Sequence, residues 1–260
     1  MFRQLLRNAL PATGLMAMGA AMASTTSCEA PAAFTAELRR LRANEKDMTA
    51  RWVKDEEGWR QLPSRVWPVK QPNADQLATL QKGIASMCST RDPRCNELRF
   101  DLATLNVFNN LDTEAGYHMY VDLASEGDVD GLVAVGMCLV EGYGVEQDYA
   151  MGIECLQRAS ACGHPQADYE LGVLYYTGAA GSDLPEDEEK ALECFERALA
   201  NGKFSYAAYM VADLLFQNAP VAEYGRALQL MYLAAENGHR FARQEIQAFV
   251  EGKHRAFKKL

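Results

Sequence analysis

The sequence predicts an all-α protein: a right-handed α-solenoid of about four stacked helix pairs, preceded by an N-terminal helical extension. Three observations predict it. Glycines recur at Gly127, Gly163, Gly202 and Gly238, separated by 36, 39 and 36 residues, and a period of this size marks stacked supersecondary units. Four residue classes keep phase with those glycines. Fifteen positions before each stands an acid (Asp112, Asp148, Asp187, Glu223), and eleven before, a small residue (Gly116, Gly152, Ala191, Ala227). Eight before stands Met119, Cys155, Cys194 or Leu230, and four before, Leu123, Ala159, Ala198 or Ala234. Ahead of each such stretch runs a second apolar stripe: Val135, Leu171 and Val211 correspond across units, as do Cys138, Leu174 and Leu214, and Leu139, Tyr175 and Leu215. Both stripes follow helical spacing.

The elements follow in order. Residues 1–28 carry Arg3 and Arg7 and no acid, within a chain of 260 residues and net charge −9. Phe2, Leu5, Leu6 and Ala9 share one helical face opposite the arginines. This is the pattern of a mitochondrial presequence. A secretory signal is the rival, because the weakly apolar run to Ala23 ends in Ala21-Met22-Ala23. Residues 29–62 are expected to form a charged helical extension, with Leu41, Met48, Trp52 and Trp59 along a narrow seam. That helix either packs on the start of the solenoid or docks a partner. Pro63, Pro68 and Pro72 make 63–73 an extended linker. Residues 74–260 form the solenoid, with units near 94–128, 130–164, 165–203 and 204–239 and a basic C-terminal cap at 240–260.

Within a unit the phase has physical meaning. Asp112, Asp148 and Asp187 start second helices, where a short carboxylate caps orphan N–H groups. Gly127, Gly163, Gly202 and Gly238 end them, where a left-handed residue is favoured. Gly142 and Gly144 turn the chain between two helices. A phosphate loop needs a preceding strand and a Lys or Ser/Thr at fixed offsets, which GYGVEQD does not supply.

The motif A-x-Y-x-L-G-x-x-Y-x-x-G at Ala167–Gly178, with GYGVEQD at Gly142–Asp148, resembles the Sel1-like repeat, a relative of the tetratricopeptide repeat with a longer loop between its helices. The likeness spans about residues 94–252. It is degenerate at 94–128 and 204–239, and the third unit's loop, GAAGSDLPED, loses the G-x-G-V core. The resemblance implies an adaptor acting in complex assembly, signalling or protein quality control.

The remaining residues carry no catalytic constellation. The acid excess disfavours a nucleic-acid partner, no apolar run is long enough to span a membrane, and the basic C-terminus is compatible with a peripheral membrane contact. Cys138, Cys155 and Cys194 take apolar repeat positions and read as core, whereas Cys162 reads as exposed. Cys162 and His164 are too few for a zinc site. Cys88 and Cys95 bracket a polar turn and are candidates for a disulfide. His164 and His239 share one repeat position, a structural signature, while His118 and His254 have no evident partner. No metal or cofactor is expected.

The expected function is therefore a non-catalytic protein–protein interaction scaffold, an assembly factor or accessory subunit of a mitochondrial complex, in matrix or intermembrane space. A secreted or periplasmic adaptor is the alternative, and a repeat-protein enzyme a third reading with no residues to assign. The expected partner face is the concave stripe of the first helices, where side chains change between units while the core does not. It comprises Ala134, Met137 and Glu141; Glu170, Val173 and Thr177; and Met210, Asp213 and Gln217.

Overall fold

The computed structural model describes residues 51–55, 58–61, 78–79, 81–85, 95–109, 111–178, 184–202, 204–218, 220–237, 239–251 and 253–254. The targeting segment, the linker at 63–73 and the stretch 33–50 lie outside these residues. Four helix pairs and a closing helix follow one another. The first pair is α1 (Cys95–Phe108) and α2 (Thr113–Ser125), and the second is α3 (Val129–Glu141) and α4 (Tyr149–Ala161). The third is α5 (Pro165–Thr177) and α6 (Glu188–Gly202), and the fourth α7 (Ser205–Asn218) and α8 (Tyr224–Glu236). Helix α9 (Arg240–Val250) closes the stack. Residues 78–79 and 81–85 are also helical.

The expected caps form where the chemistry allows. Asp112 accepts from the Ala115 N–H at 3.0 Å, Asp148 from Met151 at 2.9 Å and Asp187 from Lys190 at 3.0 Å. Glu223 makes no such bond; it ends a short 3-10 turn, Val221–Glu223, in helical backbone. Its longer side chain suits that position less well.

Small residues let the two helices of a pair touch through their backbones. A Cβ on Gly152 would lie 2.7 Å from Val140 Cγ2 and 3.0 Å from the Gly136 carbonyl oxygen. In the third pair the Phe195 ring fills the place a side chain on Gly172 would take. Ala159, Ala191, Ala198, Ala227 and Ala234, all in phase with the repeat, are wholly buried.

The turn inside a pair is closed by the same backbone bond in two units. The Asp148 N–H donates to Leu139 O at 2.9 Å, and the Asp187 N–H to Tyr175 O at 2.8 Å. Gly142 ends α3 in the left-handed conformation (φ +73°). Gly144 also has positive φ (+70°) and sits so close to the preceding unit that a Cβ there would fall 2.0 Å from Thr113 O. These glycines serve a repeat turn packed on its neighbour.

Three features depart from expectation. The helix expected to include Trp52 and Trp59 is instead an antiparallel hairpin: β1 (Trp52–Asp55) pairs with β2 (Gly58–Gln61), with Lys54 opposite Trp59. Gly58, at φ +117°, lets the chain reverse. Second, Gly127 and Gly163 have the expected positive φ (+91° and +76°), but Gly202 remains helical as the last residue of α6; Gly238 lies outside the described residues. Third, His254, read as having no partner, is buried against Glu245 at 2.8 Å.

The cysteines divide as their phase indicates. Cys138, Cys155 and Cys194 are buried free thiols and Cys162 is exposed and free. Burial pushes the Cys138 thiol up to about 12. Cys95 is disulfide-bonded, and Cys88 lies outside the described residues. In native protein, Cys162→Ser is expected to remove one equivalent of rapidly reacting thiol in an Ellman titration, while Cys138→Ser leaves the rapid phase unchanged.

Candidate interaction surface

One residue immediately precedes each of α3, α5, α7 and α9, and its carbonyl accepts the same bond in all four. Asp128 O takes it from Leu132, His164 O from Asp168, Phe204 O from Ala208 and His239 O from Arg243. These four residues therefore occupy one structural position. Counting from the glycines finds the two histidines but puts Lys203 where the chain places Phe204, because α6 runs on through Gly202. Two residues into each helix stand Asp130, Gln166, Tyr206 and Phe241. Together the two rows line the edge of the solenoid where first helices begin.

The hairpin docks on this edge, within the same chain. The Arg51 guanidinium reaches Asp128 Oδ2 at 2.6 Å and Asp130 Oδ2 at 3.0 Å. Burial pulls its pKa down, but the two carboxylates outweigh that and hold it above the ordinary value. The Trp52 backbone N–H donates to Asp130 Oδ1 at 3.1 Å, and the indole N–H to Gln166 Oε1 at 3.3 Å. His164 Nε2 lies 3.0 Å from Asp130 Oδ1 and must be the donor, since a carboxylate only accepts.

The Trp52 ring is almost fully buried, edge-on to Phe204 with centroids 5.2 Å apart. Gly202 makes room for it: a Cβ there would lie 2.7 Å from the indole Cζ3 and 2.5 Å from Pro165 Cγ. Trp59 tilts over His164 at 4.8 Å. Lys54 Nζ stands 5.6 Å from the centre of the Trp59 ring, a cation–π geometry.

Below the edge, Asp168 is wholly buried and collects Ser160 Oγ at 2.7 Å, Arg197 Nε at 3.0 Å and Asn201 Nδ2 at 3.2 Å. It thereby ties α4, α5 and α6 together. Farther along, His239 stacks on Tyr209 at 4.3 Å and caps α9, its Nδ1 accepting from the Ala242 N–H at 3.3 Å.

Burial lowers the His239 pKa to about 4, so the unfolded chain binds this proton more readily than the folded one. Stability is therefore whole above the unfolded pKa of about 6.5 and falls as pH drops toward 4, by roughly 3 kcal/mol at most. Asn is the substitution that keeps an acceptor for the cap. His239→Asn is expected to reduce the stability lost between pH 7 and pH 4.5, read by urea denaturation against the unmodified chain.

The concave stripe expected to bind a partner is not open. Ala134, Met137, Glu141, Glu170, Val173, Met210 and Asp213 are buried; Thr177 and Gln217 are half-buried. Helix α7 is buried at every residue from Ser205 to Phe216. Glu141, Glu170 and Asp213 are engaged within the chain, as buried carboxylates must be. Variation between units therefore marks local packing differences rather than solvent. Ala134 and Met137 do come together, lining a narrow cleft among the first three pairs with Phe100, Tyr120, Asp130 and Gln166. Among the described residues no group of three or more His, Cys, Asp or Glu is arranged to hold a metal ion, and no helix is long and apolar enough to cross a membrane.

Stacked helix pairs that keep one repeat phase define an α-solenoid repeat protein. The Sel1 repeat family model matches residues 129–164, 165–203 and 205–239. The chain thus carries three Sel1 repeats, and Sel1 repeats mediate protein–protein interactions. Its fold resembles that of a Sel1 repeat protein from Oxalobacter formigenes, with a TM-score of 0.53 and 19% identity over 70% of this chain and 77% of that one. It also resembles c5321, a protective antigen of uropathogenic Escherichia coli strains with an SLR fold, with a TM-score of 0.53 and 21% identity over 69% of this chain and 38% of that one. In sequence it is similar to the chitin synthase regulator SKT5 of Saccharomyces cerevisiae, 26% identical over 140 residues. That match takes in 51% of this chain and only 20% of the yeast protein.

Proposed function

We propose that the protein is a non-catalytic adaptor that serves as an assembly factor or accessory subunit of a mitochondrial complex. One observation carries the adaptor reading: the solenoid edge already holds an extended segment through a backbone N–H, a guanidinium and an indole. Those are the groups by which a scaffold grips a peptide. The name of the yeast relative, a regulator of an enzyme, agrees with a role beside catalysis. The Arg3/Arg7 amphipathic segment supports the mitochondrial part of the reading.

The test is to tag the C-terminus of the full-length chain in its native cell and identify what co-purifies. A defined, stoichiometric set of mitochondrial proteins is the expected result. Recovery alone, or with proteins of the secretory pathway, would overturn the mitochondrial assignment.

A further inference from the structure

The hairpin has the character of a bound ligand. A two-stranded hairpin is marginal in water on its own, so this one takes its conformation from the surface beneath it. Residues 62–94 separate it from α1, so it is not continuous with the repeats it covers. It spans several units: Arg51 also stands over the Phe100 ring of α1, 5.2 Å from its centre, and the other partners are Asp128, Asp130, His164, Gln166, Gly202 and Phe204.

The contact is chemically specific. Two carboxylates take the Arg51 guanidinium, and one of them also takes the Trp52 backbone N–H. A pocket of Phe204, His164 and Gly202, with Gln166 at its polar end, takes the indole. These side chains come from the row before the first helices, from the row two residues into them, and from the end of α6. The fit is also incomplete. Arg51 Nη1, Trp59 Nε1 and His164 Nδ1 are buried in it without a hydrogen-bond partner, and each such group weakens the contact. Asp130 and Gln166 also line the narrow cleft that runs to Ala134 and Met137.

We infer that this repeat junction is a recognition site for an extended peptide carrying an arginine followed by a tryptophan, and that Arg51–Trp52 occupies it in the resting chain as a built-in competitor. A partner protein with an Arg–Trp strand engages the solenoid by displacing the hairpin. This rests on the adaptor reading and supplies the chemistry of the partner; it does not depend on the cellular compartment.

The test uses the full-length chain with Arg51→Ala and Trp52→Ala, and as probe a fluorescent peptide RWVKDEEGWRQ, the sequence of residues 51–61. The double variant is expected to bind the peptide. The unmodified chain should bind at least about tenfold more weakly, because a tethered competitor acts at a millimolar effective concentration. Asp130→Asn added to the double variant should abolish binding, and a peptide lacking the Arg and Trp should not bind.

Absence of binding to a folded double variant, or equal binding by the unmodified chain, would overturn the proposal. So would a concentration-dependent dimer of the unmodified chain that disappears in the double variant, since the hairpin would then be exchanged between copies. If the double variant does not fold, hydrogen exchange on the unmodified chain decides. The Trp52 amide is expected to exchange by local opening, with protection at least about a hundredfold below that of α7 amides. Equal protection would make the hairpin a permanent part of the core. Binding of the peptide together with failure to recover mitochondrial proteins from cells would leave this site standing and remove only the compartment.

Discussion

Gly144→Ala is expected to destabilise the protein by roughly 3 kcal/mol or more, one of the largest effects of any single methyl group in the chain. Two costs add. The residue stands at φ +70°, where an L side chain costs roughly 1–2 kcal/mol. The added Cβ would also fall 2.0 Å from Thr113 O and 2.4 Å from Thr113 C. Those are backbone atoms at the first turn of α2, which cannot rotate aside as a side chain would. The second unit must then move off the first. Gly127→Ala is the control: its φ is +91°, but no atom lies within 4 Å of the added Cβ. It should cost only the backbone part, about 1–2 kcal/mol. Urea denaturation of both variants separates the two costs, and equal losses would mean that the loop does not rest on α2.

Asp130→Ala carries the second large effect. One carboxylate, nearly buried, accepts from Arg51, from the Trp52 N–H and from His164. Its removal leaves Arg51 with Asp128 alone and takes the acceptor from the Trp52 N–H and from His164, each such buried loss costing about 1–3 kcal/mol. Here the chain has an escape, since the hairpin can leave the edge and return Arg51 to water. The loss should therefore appear first as release of the hairpin, with Trp52 emission shifting to the red before the helices unfold. Asp128→Ala should do much less, because Asp130 still holds Arg51, the Trp52 N–H and His164. A Trp52 emission unchanged by Asp130→Ala would sink this account of how the hairpin is held.

The repeat was legible because its determinants are local and in phase. A capping aspartate, a small residue at the crossing and an apolar stripe lie within one helix, and their recurrence fixes the register. The buried concave stripe was not legible. Side chains that differ between units read as non-core, yet Glu141, Glu170 and Asp213 are enclosed by the chain itself.

The hairpin was hidden by an ambiguity of spacing. Trp52 and Trp59 are seven apart, as in a helical seam. The same separation puts them on one face of two strands joined by a short turn, because Lys54 pairs with Trp59 and shares its face with Trp52. The sequence signal that could have decided it is Gly58 at the reversal in DEEG. The Asp128–Asp130 pair carries no local signal of its role, because its partner Arg51 lies far away in the chain. His254 and Glu245 meet across the end of α9, which no periodicity reports.

The row that precedes the first helices is Asp128, His164, Phe204 and His239, an order of chemistry as well as of position. Identical residues at that site would make the solenoid edge the same in both directions, and a ligand could lie on it either way or slide by one unit. This row begins acidic and turns aromatic. A strand offering a cation and then an indole meets its complements in one orientation and at one register. The edge thus has polarity, like a scale with a zero mark, and degeneracy between repeats is what writes the mark.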